Sequence, residues 1–190
     1  MTGSEGPPRS PQELRAAQFQ RRLRMESDYH QARLLLLLSG FTEPLESFTG
    51  LTKLVKLDFL LRYPAMTRRL LPEDTQWPDD SQPTRDEMLA VESRMIRYRY
   101  GPWDDRYYPM LGALVGRGLL VFTGGRRFAA RVTPAGRRLA RQLAEMPEWR
   151  TTSARVSLLR RHFDFTGEQL KTLIYEHLDD VAALPQGAEI

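Results

Sequence analysis

The sequence predicts a mostly helical α+β protein, and three observations lead to this class. Apolar residues recur at helical spacing in several segments, two β-prone runs flank Gly124-Gly125, and glycine or proline stands at most of the predicted helix ends. The predicted order is helix, helix, acidic loop, strand, helix, hairpin, helix. This order is typical of a winged-helix domain with a β-hairpin wing at residues 119–132 and additional N- and C-terminal helices.

Four segments are expected along the chain. Residues 1–27 would form a flexible N-terminal segment or helical arm, 28–146 a winged-helix-like core, 147–184 a C-terminal helical pair and 185–190 a flexible tail. The run Leu34–Leu38 is apolar on every side of a helix, which predicts that its helix lies at the centre of the core.

Capping and breaking residues give the expected helix bounds. The predicted helices cover 10–25, 28–40, 51–63, 65–71, 105–117, 133–145, 153–163 and 166–181. Asp104 is expected to cap the helix 105–117, and Gly118 to end it. A strand over 92–100 is expected to break at Gly101-Pro102-Trp103, and Gly124-Gly125 is expected to form a two-residue hairpin turn.

Composition excludes several function classes. The chain has no cysteine, which excludes a disulfide scaffold, a thiol nucleophile and every cysteine-based zinc site. Its three histidines, His30, His162 and His177, have no ligand spacing and are expected at the surface or the core boundary. No apolar run approaches the roughly 20 residues that span a bilayer, and no signal-peptide pattern opens the chain. We therefore expect a cytoplasmic protein.

The sequence offers no catalytic, metal or cofactor site. Gly124-Gly125 lacks the Lys-Ser/Thr that follows a phosphate-binding loop. The acidic residues Glu73, Asp74, Asp79 and Asp80 stand in a proline-interrupted loop, which does not preorganise carboxylates for a metal or for acid–base chemistry. The expectation is a protein that is not an enzyme and needs no cofactor.

Basic residues are concentrated in the middle of the chain. Residues 93–161 carry 15 basic and 4 acidic side chains, whereas residues 162–190 carry 1 basic and 6 acidic side chains. A basic centre suits a nucleic acid or an acidic protein partner. It could equally pair with the acidic C-terminal segment of the same chain.

The candidate nucleic-acid contacts lie at the ends of helix 105–117 and along the predicted wing. They are Arg106, Arg117, Arg126, Arg127 and Arg131. The helix itself offers Pro109, Gly112, Ala113 and Gly116 and has no Asn or Gln for base edges, so nonspecific contact with double-stranded DNA is the form expected. A solvated basic face or a protein-docking face is the alternative.

A second group mixes arginine with aromatic residues. This candidate protein interface comprises Arg94, Arg97, Arg99, Tyr100, Trp103, Tyr107 and Tyr108. The alternatives are core packing at the strand-to-helix corner and base stacking on single strands.

Candidate structural residues are Lys53, Lys56, Asp58, Arg62, Gly101 and Pro102. Asp58 and Arg62 have i, i+4 spacing, and a buried pair there would fix the orientation of its helix.

Four segments resemble one known family. LTKLVKLDFLLRYP (51–64), ESRMIRYRYGPWDDRYY (92–108), LVGRGLL and RVTPAGRRLA are similar to the middle component of bacterial ABC three-component systems, a group that includes the Lamassu-type anti-phage systems. The resemblance covers about residues 30–180. It implies a winged-helix, non-catalytic adaptor that bridges an SMC-like ATPase and a nuclease-type effector in a hetero-oligomeric complex. It implies neither a membrane partner nor a small-molecule substrate.

The alternative is a winged-helix transcriptional regulator that binds duplex DNA, usually as a dimer. It rests on the hairpin and on the basic centre of the chain.

Overall fold

A computed structural model describes residues 27–78, 81–83, 96–98 and 101–178, with the backbone alone for the strands between 96 and 103. Within these ranges the helices are α1 Ser27–Gly40, α2 Leu51–Arg62, α3 Pro64–Leu70, α4 Tyr107–Gly116, α5 Pro134–Glu145, α6 Pro147–His162 and α7 Gly167–His177. The strands are β1 Phe48–Thr49, β2 Ile96–Tyr98, β3 Gly101–Trp103, β4 Leu120–Phe122 and β5 Ala129–Val132. The predicted mostly helical α+β class is confirmed. The predicted arm over 10–25 and the tail over 185–190 lie outside the described residues.

Helix α1 lies at the centre of the core. Leu34–Leu38 are at most 5% exposed, and α1 packs against α4, α5 and α6. Helix α2 packs against α6 and α7, and apolar residues of both C-terminal helices, among them Val156 and Leu170, belong to the same core. The expectation that the leucine-rich helix is central is confirmed.

Several helix ends follow the predicted local chemistry. Pro64 follows the end of α2 and opens α3. The Thr133 side chain accepts from the backbone N–H of Gly136 and caps α5. Thr166 and Gln169 form a reciprocal capping box at α7. Gly118 follows α4 with φ 67°, the left-handed conformation that favours glycine after a helix.

A three-stranded antiparallel sheet has the order β1-β5-β4. Phe48 of β1 lies opposite Ala130, and Leu120 of β4 lies opposite Val132. The sequence did not predict β1, because two residues are too short to show a strand's alternation.

The hairpin was predicted correctly, but its turn was not. The last ladder bond runs from the Thr123 N–H to the Ala129 carbonyl at 2.9 Å, so the strands are joined by a longer connection than Gly124-Gly125. We call residues 123–128 the β4–β5 loop. A Cβ at Gly124 would collide with the Arg127 carbonyl and lie 2.9 Å from the Ala129 nitrogen. The loop therefore folds back on Gly124, which a two-residue turn would not do.

Three predicted bounds of helices or strands are wrong between residues 101 and 153. Gly101-Pro102-Trp103 does not break a strand, because it forms a strand of its own that pairs antiparallel with Ile96–Tyr98. Helix α4 begins at Tyr107 rather than at residue 105. Helix α6 begins at Pro147 rather than at residue 153, because proline is favourable in the first turn of a helix.

None of the helices in the described ranges has the length and apolar character needed to cross a membrane.

The close approach of α5 to the hairpin generates a stability prediction. A Cβ at Gly136 would collide with the Leu119 carbonyl and lie 2.9 Å from Cγ1 of Val132. We expect Gly136→Ala to lower the free energy of unfolding by about 1–3 kcal/mol, as overpacking does. The matched control is Gly112→Ala in α4, where nothing lies within 4 Å. It should raise the free energy of unfolding by roughly 0.5–1 kcal/mol. Urea unfolding of both variants checks the pair, and equal effects would contradict the prediction.

Candidate functional site

Asp58 is the centre of a buried group of charged side chains. Its Oδ1 accepts from Arg33 Nε at 2.6 Å, and its Oδ2 accepts from Arg33 Nη2 at 3.0 Å and from the Tyr107 hydroxyl at 2.7 Å. Asp58, Arg33 and Tyr107 lie on α2, α1 and α4 respectively. One carboxylate therefore joins three helices through charge-assisted hydrogen bonds, two of them in the bidentate arrangement that arginine favours.

Asp104 is the second carboxylate of this group. It accepts from the Arg106 backbone N–H at 3.0 Å, from Arg106 Nε at 2.9 Å and from Arg106 Nη2 at 2.7 Å. Arg62 Nη1 donates to Asp104 at 3.3 Å and lies 3.9 Å from Asp58 Oδ2. Arg62 thus bridges the two carboxylates. We call the seven residues His30, Arg33, Asp58, Arg62, Asp104, Arg106 and Tyr107 the charge cluster.

The electrostatics of the charge cluster keep both carboxylates ionised. Burial alone would raise the pKa of Asp58, but the charge and hydrogen bonds of Arg33, with Arg62 and Tyr107, hold that pKa below its usual value. Burial likewise opposes ionisation of Asp104, yet its bonds to Arg106 lower its pKa to about 2. Burial and the Asp58 charge raise the pKa of Tyr107, which therefore remains a hydrogen-bond donor.

His30 corrects the prediction made for it. It is only 2% exposed, with Nδ1 2.7 Å from Arg33 Nη1 and Nε2 3.3 Å from Arg106 Nη1. Burial, followed by the charges of Arg33 and Arg106, lowers its pKa from 6.5 to about 3. The imidazole is neutral at neutral pH, and we assign the shorter contact to Nδ1 accepting from Arg33. His162 is half-buried and His177 is exposed, as expected.

Sequence reasoning found Asp58 but missed its main partner. The i, i+4 spacing pointed to Arg62, whereas the short contacts come from Arg33, 25 residues away, and from Tyr107. A signal was present, because His30 and Arg33 immediately precede the leucine run of a helix that was predicted to be buried on all sides.

The other candidate structural residues occupy two places. Lys56 Nζ donates to the Gly167 carbonyl at 2.8 Å, and Lys53 Nζ lies 2.8 Å from Asp164 Oδ1, so both lysines connect α2 to the chain around the start of α7. Gly101 and Pro102 form part of β3.

Two adjacent tyrosines of the candidate protein interface point in opposite directions. Tyr107 is fully buried in the charge cluster, whereas Tyr108 is 65% exposed. Arg97 and Trp103 lie on β2 and β3, where only the backbone is described. The remaining members, Arg94, Arg99 and Tyr100, lie outside the described residues.

An exposed aromatic surface lies beside Tyr108. Phe122 at the end of β4 is 52% exposed, and its ring meets that of Phe128 edge-on at 5.9 Å. Tyr108, Phe122 and Phe128 line one shallow depression of about 310 Å³. We call these three residues the α4–β4 face. No sequence pattern linked them, because they meet only when the hairpin folds beside α4.

The candidate nucleic-acid contacts divide into two sets. Arg106 is bonded to Asp104, and Arg117 Nη2 lies 2.7 Å from Asp28 Oδ1 in an exposed pair. Arg126 and Arg127 are exposed on the β4–β5 loop, and Arg131 is half-buried on β5. Of the five candidate nucleic-acid contacts, Arg126, Arg127 and Arg131 therefore lie together on the β4–β5 hairpin.

The acidic loop shows no metal centre in its described part. Glu73 and Asp74 are exposed, and Asp79 and Asp80 lie outside the described residues. Across the described ranges, no three His, Cys, Asp or Glu side chains are grouped closely enough to hold a metal ion.

Comparisons of the chain with protein-family models, with curated proteins and with solved structures find no match.

Removing the charge of Asp58 should destabilise the fold strongly. Asp58→Asn leaves Arg33 buried without its counter-ion, and breaking a buried pair in this way costs about 3–5 kcal/mol. The matched control is Asp28→Asn, which breaks an exposed pair with Arg117 and should cost less than about 1 kcal/mol. Denaturant unfolding measures both variants, and a similar small loss in each would show that the charge cluster does not hold the three helices together.

His30 should make the stability depend on pH. Between pH 6.5 and about pH 3 the unfolded chain protonates His30 whereas the folded chain does not, so stability falls as pH falls through this window. The largest slope from one proton is about 1.4 kcal/mol per pH unit. We expect His30→Gln to remove this contribution between pH 6.5 and 4. Thermal unfolding between pH 6.5 and 4 measures the slope of stability against pH. An unchanged slope in His30→Gln would contradict the prediction.

Proposed function

We propose that the chain is a non-catalytic adaptor subunit of an anti-phage defence complex, in which it bridges an SMC-like ATPase and an effector of the nuclease type. The proposal rests on the resemblance of residues 51–64 and 92–108 to the middle component of ABC three-component systems. Within the structure these two segments contact each other, because Asp58 bonds Tyr107 and Arg62 bonds Asp104. Their joint occurrence therefore has a physical basis in one buried cluster.

The layout supports the winged-helix part of this proposal. Helix α1, strand β1, helices α2 and α4 and the β4–β5 hairpin follow one another along the chain, and β1 completes the sheet on the far side of β5. In a winged-helix domain, α4 would occupy the recognition position, and the β4–β5 hairpin, within residues 119–132, would be the wing. Helix α3 and the strands β2 and β3 lie between α2 and α4 along the chain, where they would be additions to that layout.

The exposed surface of α4 is the structural observation that supports the adaptor hypothesis. Its exposed positions are Tyr108, Pro109, Gly112 and Gly116. Apart from the Tyr108 hydroxyl, they present no side-chain group that could read base edges. Tyrosine, phenylalanine and arginine are instead enriched at protein interfaces. A protein partner therefore suits the α4–β4 face better than sequence-specific DNA does.

The test is an affinity pull-down of the tagged full chain from the cells that encode it, in moderate salt, followed by mass spectrometry. We expect a coiled-coil ATPase and an effector to remain bound. Combined Tyr108→Ala and Phe122→Ala should reduce their recovery at least tenfold, because aromatic hot spots each contribute about 2 kcal/mol or more. Met146→Ala, which removes an apolar side chain that is 43% exposed elsewhere, is the matched control.

One outcome would contradict the interface and another the function. Full recovery with the double variant would show that the partners do not bind the α4–β4 face. Recovery of the chain alone, with DNA that salt removes, would favour the alternative, a DNA-binding regulator that uses the exposed Arg126 and Arg127 of the loop.

A further inference from the structure

A large groove lies on the other side of the β4–β5 loop from the α4–β4 face. It has a volume of about 1270 Å³ and is bounded by the starts of α2 and α7 and by the loop. Its basic lining residues are Lys53, Lys56, Lys171 and Arg127. Lys53, Lys56 and Lys171 are the only lysines among the 28 lysine and arginine residues of the chain. We call this site the lysine groove.

The lysine groove carries more positive than negative charge. Lys53 lies 2.8 Å from Asp164, and Lys171 lies 2.9 Å from Glu168, so two of its cations have carboxylate partners. These two carboxylates are the acidic side chains that line the groove beside four cationic ones. Its net charge, counted over the described lining residues, is therefore positive.

Of the three lysines in the groove, Lys56 alone has no carboxylate partner among the described residues. It is 1% exposed, and its ammonium donates to the neutral Gly167 carbonyl, whereas an ammonium can donate three hydrogen bonds. No carboxylate of the described residues lies within ion-pair distance of Lys56. Burial, opposed by Glu168 and reinforced by Lys171, lowers the pKa of Lys56 to about 8. An anion in the groove would offset the cost of this buried charge.

Two helix N-termini meet at the same place. Gly50 precedes α2, which has no side-chain cap, and Gly167 opens α7. A Cβ at Gly167 would lie 3.1 Å from the backbone nitrogen of Lys53, so the first turns of the two helices are in close contact. The capping box of Thr166 and Gln169 already closes the start of α7, whereas the uncapped start of α2 adds its partial positive charge to that of the lysines, and phosphate groups favour such positions.

Aromatic rings complete the lining. Phe165 is 40% exposed, and it lines the groove together with Phe128 of the β4–β5 loop. A ring beside lysines offers a stacking surface for a base next to a site for its phosphate. We propose that the lysine groove binds a nucleoside phosphate, with the phosphate against Lys56 and Lys171 and the base against Phe165. This proposal does not rest on the adaptor function, although the groove shares Phe128 with the α4–β4 face.

The experiment is isothermal titration calorimetry of the full chain at constant ionic strength. The probes are ADP, a single-stranded oligothymidylate and sodium phosphate, with a polyglutamate peptide as the carboxylate comparison. We expect Lys56→Met and Lys171→Gln each to raise the Kd for ADP about tenfold, which is about 1.4 kcal/mol. The matched control is Arg138→Gln, which removes one charge from an exposed position of α5 outside the groove.

Phe165→Ala tests the base contact separately. It should weaken the binding of ADP and leave the binding of inorganic phosphate unchanged. Lys171 is more exposed than Lys56, so its variant keeps the test decisive if Lys56→Met does not fold.

The outcomes separate the sources of the nucleoside phosphate. Binding of ADP alone identifies a free nucleotide, and binding of both ADP and oligothymidylate identifies a nucleic-acid strand. Either result supports the site. The proposal is overturned if neither binds, if polyglutamate or inorganic phosphate binds as tightly as ADP, or if Arg138→Gln weakens ADP as much as the groove variants do.

Discussion

The bidentate pair between Arg33 and Asp58 is the interaction on which the arrangement of α1, α2 and α4 depends. Both side chains are buried, and Asp58 also accepts from Tyr107. Removing two charges from water is costly, and an apolar replacement of such a pair is often as stable. Its consequence here is geometric, because the planar guanidinium and the carboxylate meet in one orientation and so fix the register of the helices that carry them.

The same bond sets which side of α4 faces solvent. Tyr107 is anchored to Asp58 inside the core, so Tyr108, the next residue along the helix, is directed outward beside Phe122. Asp104 and Arg106 precede the helix and hold its first turn through a backbone and a side-chain bond. The exposed aromatic surface is therefore positioned by buried hydrogen bonds one residue away, and a change in the charge cluster would turn or release it.

Local features of the fold were predictable from the sequence, and distant contacts were not. The caps at Thr133 and Thr166 and the turn at Gly118 follow from residues within one helical turn. The Arg33 contact joins positions 25 residues apart. Nothing in the sequence distinguished Arg33 from the other arginines as the partner of Asp58. The β4–β5 loop was misjudged for a similar reason, since its length depends on how Gly124 packs against residues that follow it.

The β4–β5 loop links the two surfaces to which we assign partners. Gly125, Arg127 and Phe128 line both the depression of the α4–β4 face and the lysine groove on its other side. Gly124 also lines both, and its packing leaves no space for a side chain. A ligand that contacts these shared residues from one side constrains the surface that they present on the other. Because linkage is reciprocal, a nucleoside phosphate in the groove and a protein on the face would alter each other's affinity by the same factor.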